Sequence, residues 1–157
     1  MYLINKLKNE HKNEKIVIYV DMDGVLASYD VGEKLDFKNK RPLTSNIKTV
    51  EELATLENVE LHILSVCREN FQIQDKNEWL DKYAPFFKLE NRAILSKEKY
   101  LNQTAKELKC NYLKKIIKNK GNEEIALIDD DNEVLKFIHS QINNIILFQD
   151  SSLIDYK

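Results

Sequence analysis

Glycine and proline are scarce, at 3 and 2 residues in a chain of 157, so a collagen-like repeat or a Pro/Gly-rich low-complexity segment lacks its material. Cysteine is as thin. Cys67 and Cys110 lie far apart in apolar-flanked segments without C-x-x-C spacing, which argues against a disulfide framework or a thiolate zinc site and leaves two reduced thiols. Charge of one sign is missing too: 24 Lys plus Arg stand against 26 Asp plus Glu, a net charge of −2. That balance argues against a strongly basic nucleic-acid binder, although a local basic patch stays open. No apolar run approaches the roughly 20 residues that cross a bilayer, and Lys6, Lys8, Glu10 and Lys12 interrupt the N-terminus. A soluble cytoplasmic protein without membrane contact is the expectation.

What is present is a globular balance of 43 % hydrophobic and 32 % charged residues, enough for one ordinary domain that buries about two-thirds of its unfolded surface. Short apolar runs at Ile16–Val20, Val59–Val66, Ala93–Leu95, Ile125–Ile128 and Ile145–Phe148 have the length and the Ile, Val and Leu content of strands buried on both faces. Helical spacing lies between them. Ile47, Val50, Leu53 and Ala54 follow a Thr44-Ser45-Asn46 capping cluster, Trp79, Leu80 and Tyr83 precede Pro85, and Leu108, Tyr112, Leu113 and Ile116 run to Lys120-Gly121, read as a basic last turn and a C-cap glycine. The alternation predicts an α/β three-layer Rossmann-like sandwich with a central, mostly parallel five-stranded sheet. Residues 1–15 read as a polar helical or frayed extension, and 16–157 as a single domain with a short patternless insert at about 26–45.

Asp21-Met22-Asp23-Gly24-Val25 directly follows the first strand, and in an open parallel sheet ligands bind at the carboxyl ends of strands. Two carboxylates two residues apart can divide labour there: one attacks phosphorus while the other delivers or removes a proton. Gly24 lets the chain leave the strand sharply and brings backbone N–H groups toward an anion. An acidic turn of no function would look similar. An EF-hand loop would not, because Val25, Leu26 and Ala27 stand where oxygen ligands belong.

A second acidic cluster, Asp129-Asp130-Asp131, follows the strand Ile125–Ile128. Carboxylates in such a row repel unless a cation offsets them. If the two acidic strand ends are neighbours, they form an oxygen-rich Mg2+ site; alone, the second cluster would serve as the N-terminus of a helix beginning at Asn132-Glu133. Ser65 ends another apolar strand, where its hydroxyl and the N–H groups from Val66 onward can meet a phosphoryl oxygen. None of His11, His62 and His139 has metal-ligand spacing.

Taken in order, these residues resemble the haloacid dehalogenase-like superfamily of phosphohydrolases over about residues 16 to 148. Asp21-Met22-Asp23-Gly24-Val25 is similar to the first motif of that family, Ser65 to the second, and Asp129-Asp130 to the acidic fourth. The resemblance implies Asp21 as a nucleophile that becomes phosphorylated and Asp23 as the general acid that protonates the leaving group. It implies Mg2+ held by the Asp21 carboxylate, the Asp23 main-chain carbonyl and Asp130, with Asp129 orienting a metal-bound water. An aspartate at position 23 selects phosphatase or phosphotransferase chemistry over dehalogenation or ion pumping. The third motif needs a lysine, for which Lys109 leads and Lys97 and Lys99 compete, its role being to offset carboxylate and phosphate charge.

The stretches Asp21–Ala27, Lys76-Asn77-Glu78-Trp79-Leu80 before Pro85-Phe86-Phe87, and Leu127–Asp130 resemble 5′(3′)-deoxyribonucleotidase-like members of the superfamily. Only about twenty residues separate Gly24 from the next helix, too few for their helical cap, so the resemblance implies an open site with a minimal cap or none. The expected activity is Mg2+-dependent hydrolysis of a small phosphomonoester, a nucleotide first of all. A polynucleotide 3′-phosphatase, with Tyr29, Phe37, Lys38, Lys40 and Arg41 touching the nucleic-acid end, and a non-catalytic binding module are the alternatives. Oligomeric state is not legible.

Overall fold

Ile16–Val20 is built of β-branched and aromatic residues that are all buried, as a strand covered on both faces requires. It forms the central strand β1 in the computed structural model, which describes residues 2–11, 14–29 and 36–154. β2 (Val59–Cys67), β3 (Arg92–Ser96), β4 (Glu124–Asp129) and β5 (Ile146–Gln149) complete one sheet of order β3-β2-β1-β4-β5. Every pairing is parallel. The Rossmann-like sandwich anticipated from the alternation is therefore the observed architecture, with a sheet wholly rather than mostly parallel.

The helices are α1 (Tyr2–Glu10), α2 (Thr44–Leu53), α3 (Phe71–Tyr83), α4 (Ala105–Asn119) and α5 (Asn132–Gln141). Side chains alternate across a strand, so β1 feeds two cores. Ile16, Ile18 and Val20 pack with Leu3 and Leu7 of α1, Val50 and Leu53 of α2 and Leu80 of α3. Val17 and Tyr19 pack with Cys110 and Leu113 of α4 and Val134 and Ile138 of α5. The apolar stripe of α1 is thus part of the first core.

Two helix boundaries differ from expectation. Leu43, not the Thr44-Ser45-Asn46 cluster, occupies the cap of α2 without a side-chain bond, and the Asn46 amide N–H donates to the Val25 carbonyl at 2.8 Å. Lys120 caps α4 in extended backbone, and Gly121 does not take the left-handed conformation of a C-cap glycine. At its other end α4 has a full capping box between Thr104 and Glu107.

The chain steps from β1 through α2 to β2 and through α3 to β3, then crosses back by α4 to β4 and by α5 to β5. The direction reverses between β1 and β4, and at such a switch point the loops part and leave a crevice at the carboxyl ends of the strands. Both acidic clusters sit there.

Candidate active site

The ladder itself brings the acids together. Val20 pairs with Ile128, and the Asp21 N–H continues that ladder by donating to the Ile128 carbonyl at 3.0 Å. Asp21 and Asp129 therefore end adjacent strands, 6 % and 0 % exposed. Asp129 Oδ1 accepts the Asp131 N–H at 3.0 Å, while Asp131 caps α5 by accepting the Glu133 N–H at 2.8 Å. Asp130 turns toward Gly24. That glycine has a φ of +78°, and a Cβ on it would lie 2.0 Å from Asp130 Oδ2, so both its backbone conformation and the approach of the carboxylate require glycine. Its own N–H donates to the Ala27 carbonyl at 2.8 Å.

Among the three lysines considered for the third motif, the structure brings Lys109 to the acids. It projects from α4, is 4 % exposed, and places Nζ 2.6 Å from Asp129 Oδ2 and 3.1 Å from Asp21 Oδ1. Lys97 and Lys99 stay in the loop after β3, where the Lys97 N–H bonds the Cys67 carbonyl and Lys99 lies over the Tyr100 ring.

Two further lysines, neither considered for the third motif, reach Asp23. Lys76 of α3 is 2 % exposed and donates to Asp23 Oδ2 at 2.6 Å, to Ser65 Oγ at 2.7 Å and to the Val66 carbonyl at 3.2 Å. Lys40 donates to Asp23 Oδ1 at 2.9 Å and to the Ser28 carbonyl at 3.2 Å. The signal for Lys76 was present in the helix: it falls on the inward stripe with Gln72, Trp79 and Leu80, and a lysine in such a stripe needs a buried partner. The sequence suggests Lys40 only as a contact for nucleic acid.

Lys40 is delivered by a short arm that docks on α3. Phe37, in a 3-10 turn over Phe37–Asn39, meets Trp79 edge-on with ring centroids 5.8 Å apart. The Trp79 indole donates to the Lys40 carbonyl at 2.9 Å, and Lys38 pairs with Asp75 and Glu78. Trp79 is therefore both core and anchor. Beyond the arm, Tyr29 and Phe71 are 66 % and 55 % exposed, and Lys40 Nζ lies 5.2 Å from the centre of the Tyr29 ring.

The charges divide the site in two. Burial pushes the Asp21 and Asp129 carboxyls up, with Lys109 opposing; burial and the neighbouring Asp21 push Asp130 up to about 6. Burial disfavours the Lys109 ammonium, but Asp21 and Asp129 outweigh it and hold its pKa above the ordinary lysine value. Asp23 behaves oppositely. Burial would raise it, yet Lys76 and Lys40 outweigh that and hold its carboxyl below the usual range. Asp21, Asp129 and Asp130 each offer an oxygen within 4.8 Å of the others, with more negative charge than Lys109 offsets. A hard divalent cation fits that donor set, and Mg2+ prefers such oxygens. Asp129 already bonds Lys109 and Asp131, which leaves Asp21 and Asp130 the better placed to ligate. The group His11, Glu14 and Glu124 also clusters, but Glu124 begins the strand that Asp129 ends, so it lies at the far end of the sheet. His62 pairs with Glu60.

Solved structures share this fold. The chain is similar to one from the Pnkp1/Rnl/Hen1 RNA repair complex, with a TM-score of 0.65 and 16 % identity over 87 % of this chain and 42 % of that one. A second Pnkp1/Rnl/Hen1 complex gives 0.64 and 17 %, over 87 % and 46 %. The N-terminal part of BF1531 from Bacteroides fragilis, containing a phosphatase domain complexed with Mg, gives 0.58 and 16 %, over 93 % and 39 %. No protein-family model and no curated protein matches the sequence. The chain thus spans less than half the length of each of these solved chains, and what it shares with them is the fold.

Proposed function

We propose that the protein is a Mg2+-dependent phosphomonoester hydrolase of the haloacid dehalogenase type, acting through phosphorylation of Asp21 on nucleotide substrates, with nucleoside 5′-monophosphates the leading class. The observation that carries this reading is the buried Asp21, held between the Lys109 ammonium and a second pair of strand-end acids. Asp21 attacks phosphorus, the bond to the leaving oxygen breaks, and Asp23 gives that oxygen its proton. Water then attacks the phosphoryl group, Asp23 takes the proton from water, and phosphate leaves with Asp21 regenerated. Bound at Asp21 and Asp130, with Asp129 beside them, Mg2+ supplies positive charge against the phosphoryl oxygens. Ser65 and Lys76 line the phosphoryl side.

Asp23 rests as a carboxylate between two ammonium groups, which is the wrong state for an acid. An arriving phosphoryl group shares the Lys76 ammonium with it, weakens that pair and restores basicity to Asp23, which takes up a proton from solvent as substrate binds, so the proton is carried in the complex rather than in the free protein. The two buried thiols suit a reducing cytoplasmic setting, and no described helix is long and apolar enough to cross a membrane. Residues 16–157 act as one catalytic domain in this reading.

A nucleic-acid end is the second reading. It is favoured by the exposed Tyr29 and Phe71 rings, which suit stacking on bases, and by the likeness to a chain of an RNA repair complex. The test is Mg2+-dependent phosphate release from nucleoside 5′- and 3′-monophosphates, sugar phosphates and 3′-phosphorylated oligonucleotides, with Asp21→Asn as control. Release abolished by Asp21→Asn supports the covalent route, and the preferred substrate chooses between the two readings. Release that survives Asp21→Asn overturns the mechanism. Silence from a folded protein that does not bind Mg2+ favours a non-catalytic module.

A further inference from the structure

The three site lysines are placed unequally. Lys109 is committed to Asp21 and Asp129. Lys76 stands at Ser65 Oγ and the Val66 carbonyl, on the phosphoryl side. Lys40 takes the other oxygen of Asp23 and touches the Ser28 carbonyl, while its ammonium also faces the largely exposed Tyr29 ring. In the proposed reaction Asp23 protonates the leaving oxygen, and Lys40 with the Tyr29 ring stands beside Asp23.

The backbone at Lys40 does not depend on its side chain. The Trp79 indole holds the Lys40 carbonyl, the Ser28 N–H donates to the Arg41 carbonyl, and the Leu43 N–H to the Leu26 carbonyl. A flexible ammonium on a fixed arm can exchange one anionic partner for another without moving the chain. The exchange is favourable only if the substrate brings an anion of its own, since otherwise the ammonium gives up a charged partner in a half-buried place.

We propose that Lys40 reads a second phosphate on the leaving-group side, so that the preferred substrate is a nucleoside phosphomonoester carrying another phosphate close to the scissile one. The Tyr29 face supplies the stacking surface for the base. This rests on the phosphomonoesterase reading and moves its preferred substrate from nucleoside monophosphates to nucleoside bisphosphates or to strand ends, where the internucleotide phosphate is the second anion.

The experiment compares kcat/KM for adenosine 3′,5′-bisphosphate with those for adenosine 3′- and 5′-monophosphate, in wild type, Lys40→Met and Lys40→Arg. Wild type should favour the bisphosphate by about tenfold or more, the scale of one charge-assisted contact. Lys40→Met should erase most of that ratio and Lys40→Arg should keep it. Equal turnover of bisphosphate and monophosphates by wild type, or a uniform fall in Lys40→Met with the ratio intact, overturns the proposal and leaves the phosphomonoesterase reading standing. No turnover of any of these or of the wider substrate panel by wild type overturns both.

Discussion

The Lys109 ammonium lies 2.6 Å from Asp129 Oδ2, and neither side chain is more than 5 % exposed. Removing one member of a buried pair leaves an uncompensated charge, at a cost of about 3–5 kcal/mol. Lys109→Met should therefore lower Tm by on the order of 10 °C for a chain of this size. Mg2+ should recover part of the loss by offsetting the same carboxylates. Thermal unfolding with EDTA and with Mg2+ reads both effects; an unchanged Tm would show that the pair contributes nothing.

Acidity should stabilise the metal-free site. Asp130 is raised to about 6, above its unfolded value, so the folded state binds this proton more tightly than the unfolded chain does. Its contribution to stability is greatest at low pH and falls as pH rises from the ordinary carboxylate range through about 6. In EDTA, wild type should gain stability between about pH 7 and pH 5 relative to Asp130→Asn, which should melt higher than wild type at neutral pH. Differential scanning calorimetry of both proteins decides this. In saturating Mg2+ the order should reverse, because the wild-type carboxylate is then a ligand.

Gly24→Ala should damage the metal site more than the fold. The left-handed φ costs a Cβ residue about 1–2 kcal/mol, but the larger effect is displacement of Asp130, whose Oδ2 lies 2.0 Å from the added carbon. Calorimetric titration should show Mg2+ affinity reduced at least tenfold in a protein that still unfolds cooperatively. Affinity equal to wild type would mean that Asp130 is not a ligand.

Trp79→Phe retains most of the ring but loses the indole bond to the Lys40 carbonyl. An orphaned acceptor there costs about 1–3 kcal/mol, a fall in Tm of roughly 2–10 °C. Phosphate release should fall as well, since the arm that carries Lys40 is loosened. Trp79→Ala, which also removes the Phe37 contact, should be worse on both measures. Equal behaviour of wild type and Trp79→Phe would mean that packing alone fixes the arm.

The sheet was legible because apolar runs such as Ile16–Val20 and Ile125–Ile128 have the length and composition of doubly covered strands, and the adjacency of Asp21 and Asp129 followed from where such strands put their ends. Lys109 was legible as the leading candidate through its place on the helix before β4. Lys76 was legible only as a lysine on the inward stripe of its helix; its partner was not, since that aspartate lies 53 residues earlier in the chain. The arm was illegible for a related reason. Nothing local distinguishes Phe37–Lys40 from a polar loop until Trp79, 39 residues beyond Lys40, anchors its backbone.

The Asp21 N–H bond to Ile128 makes the sheet a ruler for the chemistry. Adjacent strands stand about 4.8 Å apart whatever side chains they carry, so the interval between the two acidic strand ends is a property of the peptide backbone. Substitutions elsewhere cannot retune it by small degrees; they can only leave it intact or break the ladder. Variation in what such a protein accepts must therefore accumulate in the segments that overhang the ruler, as in the Lys40 arm, while the measuring edge stays constant.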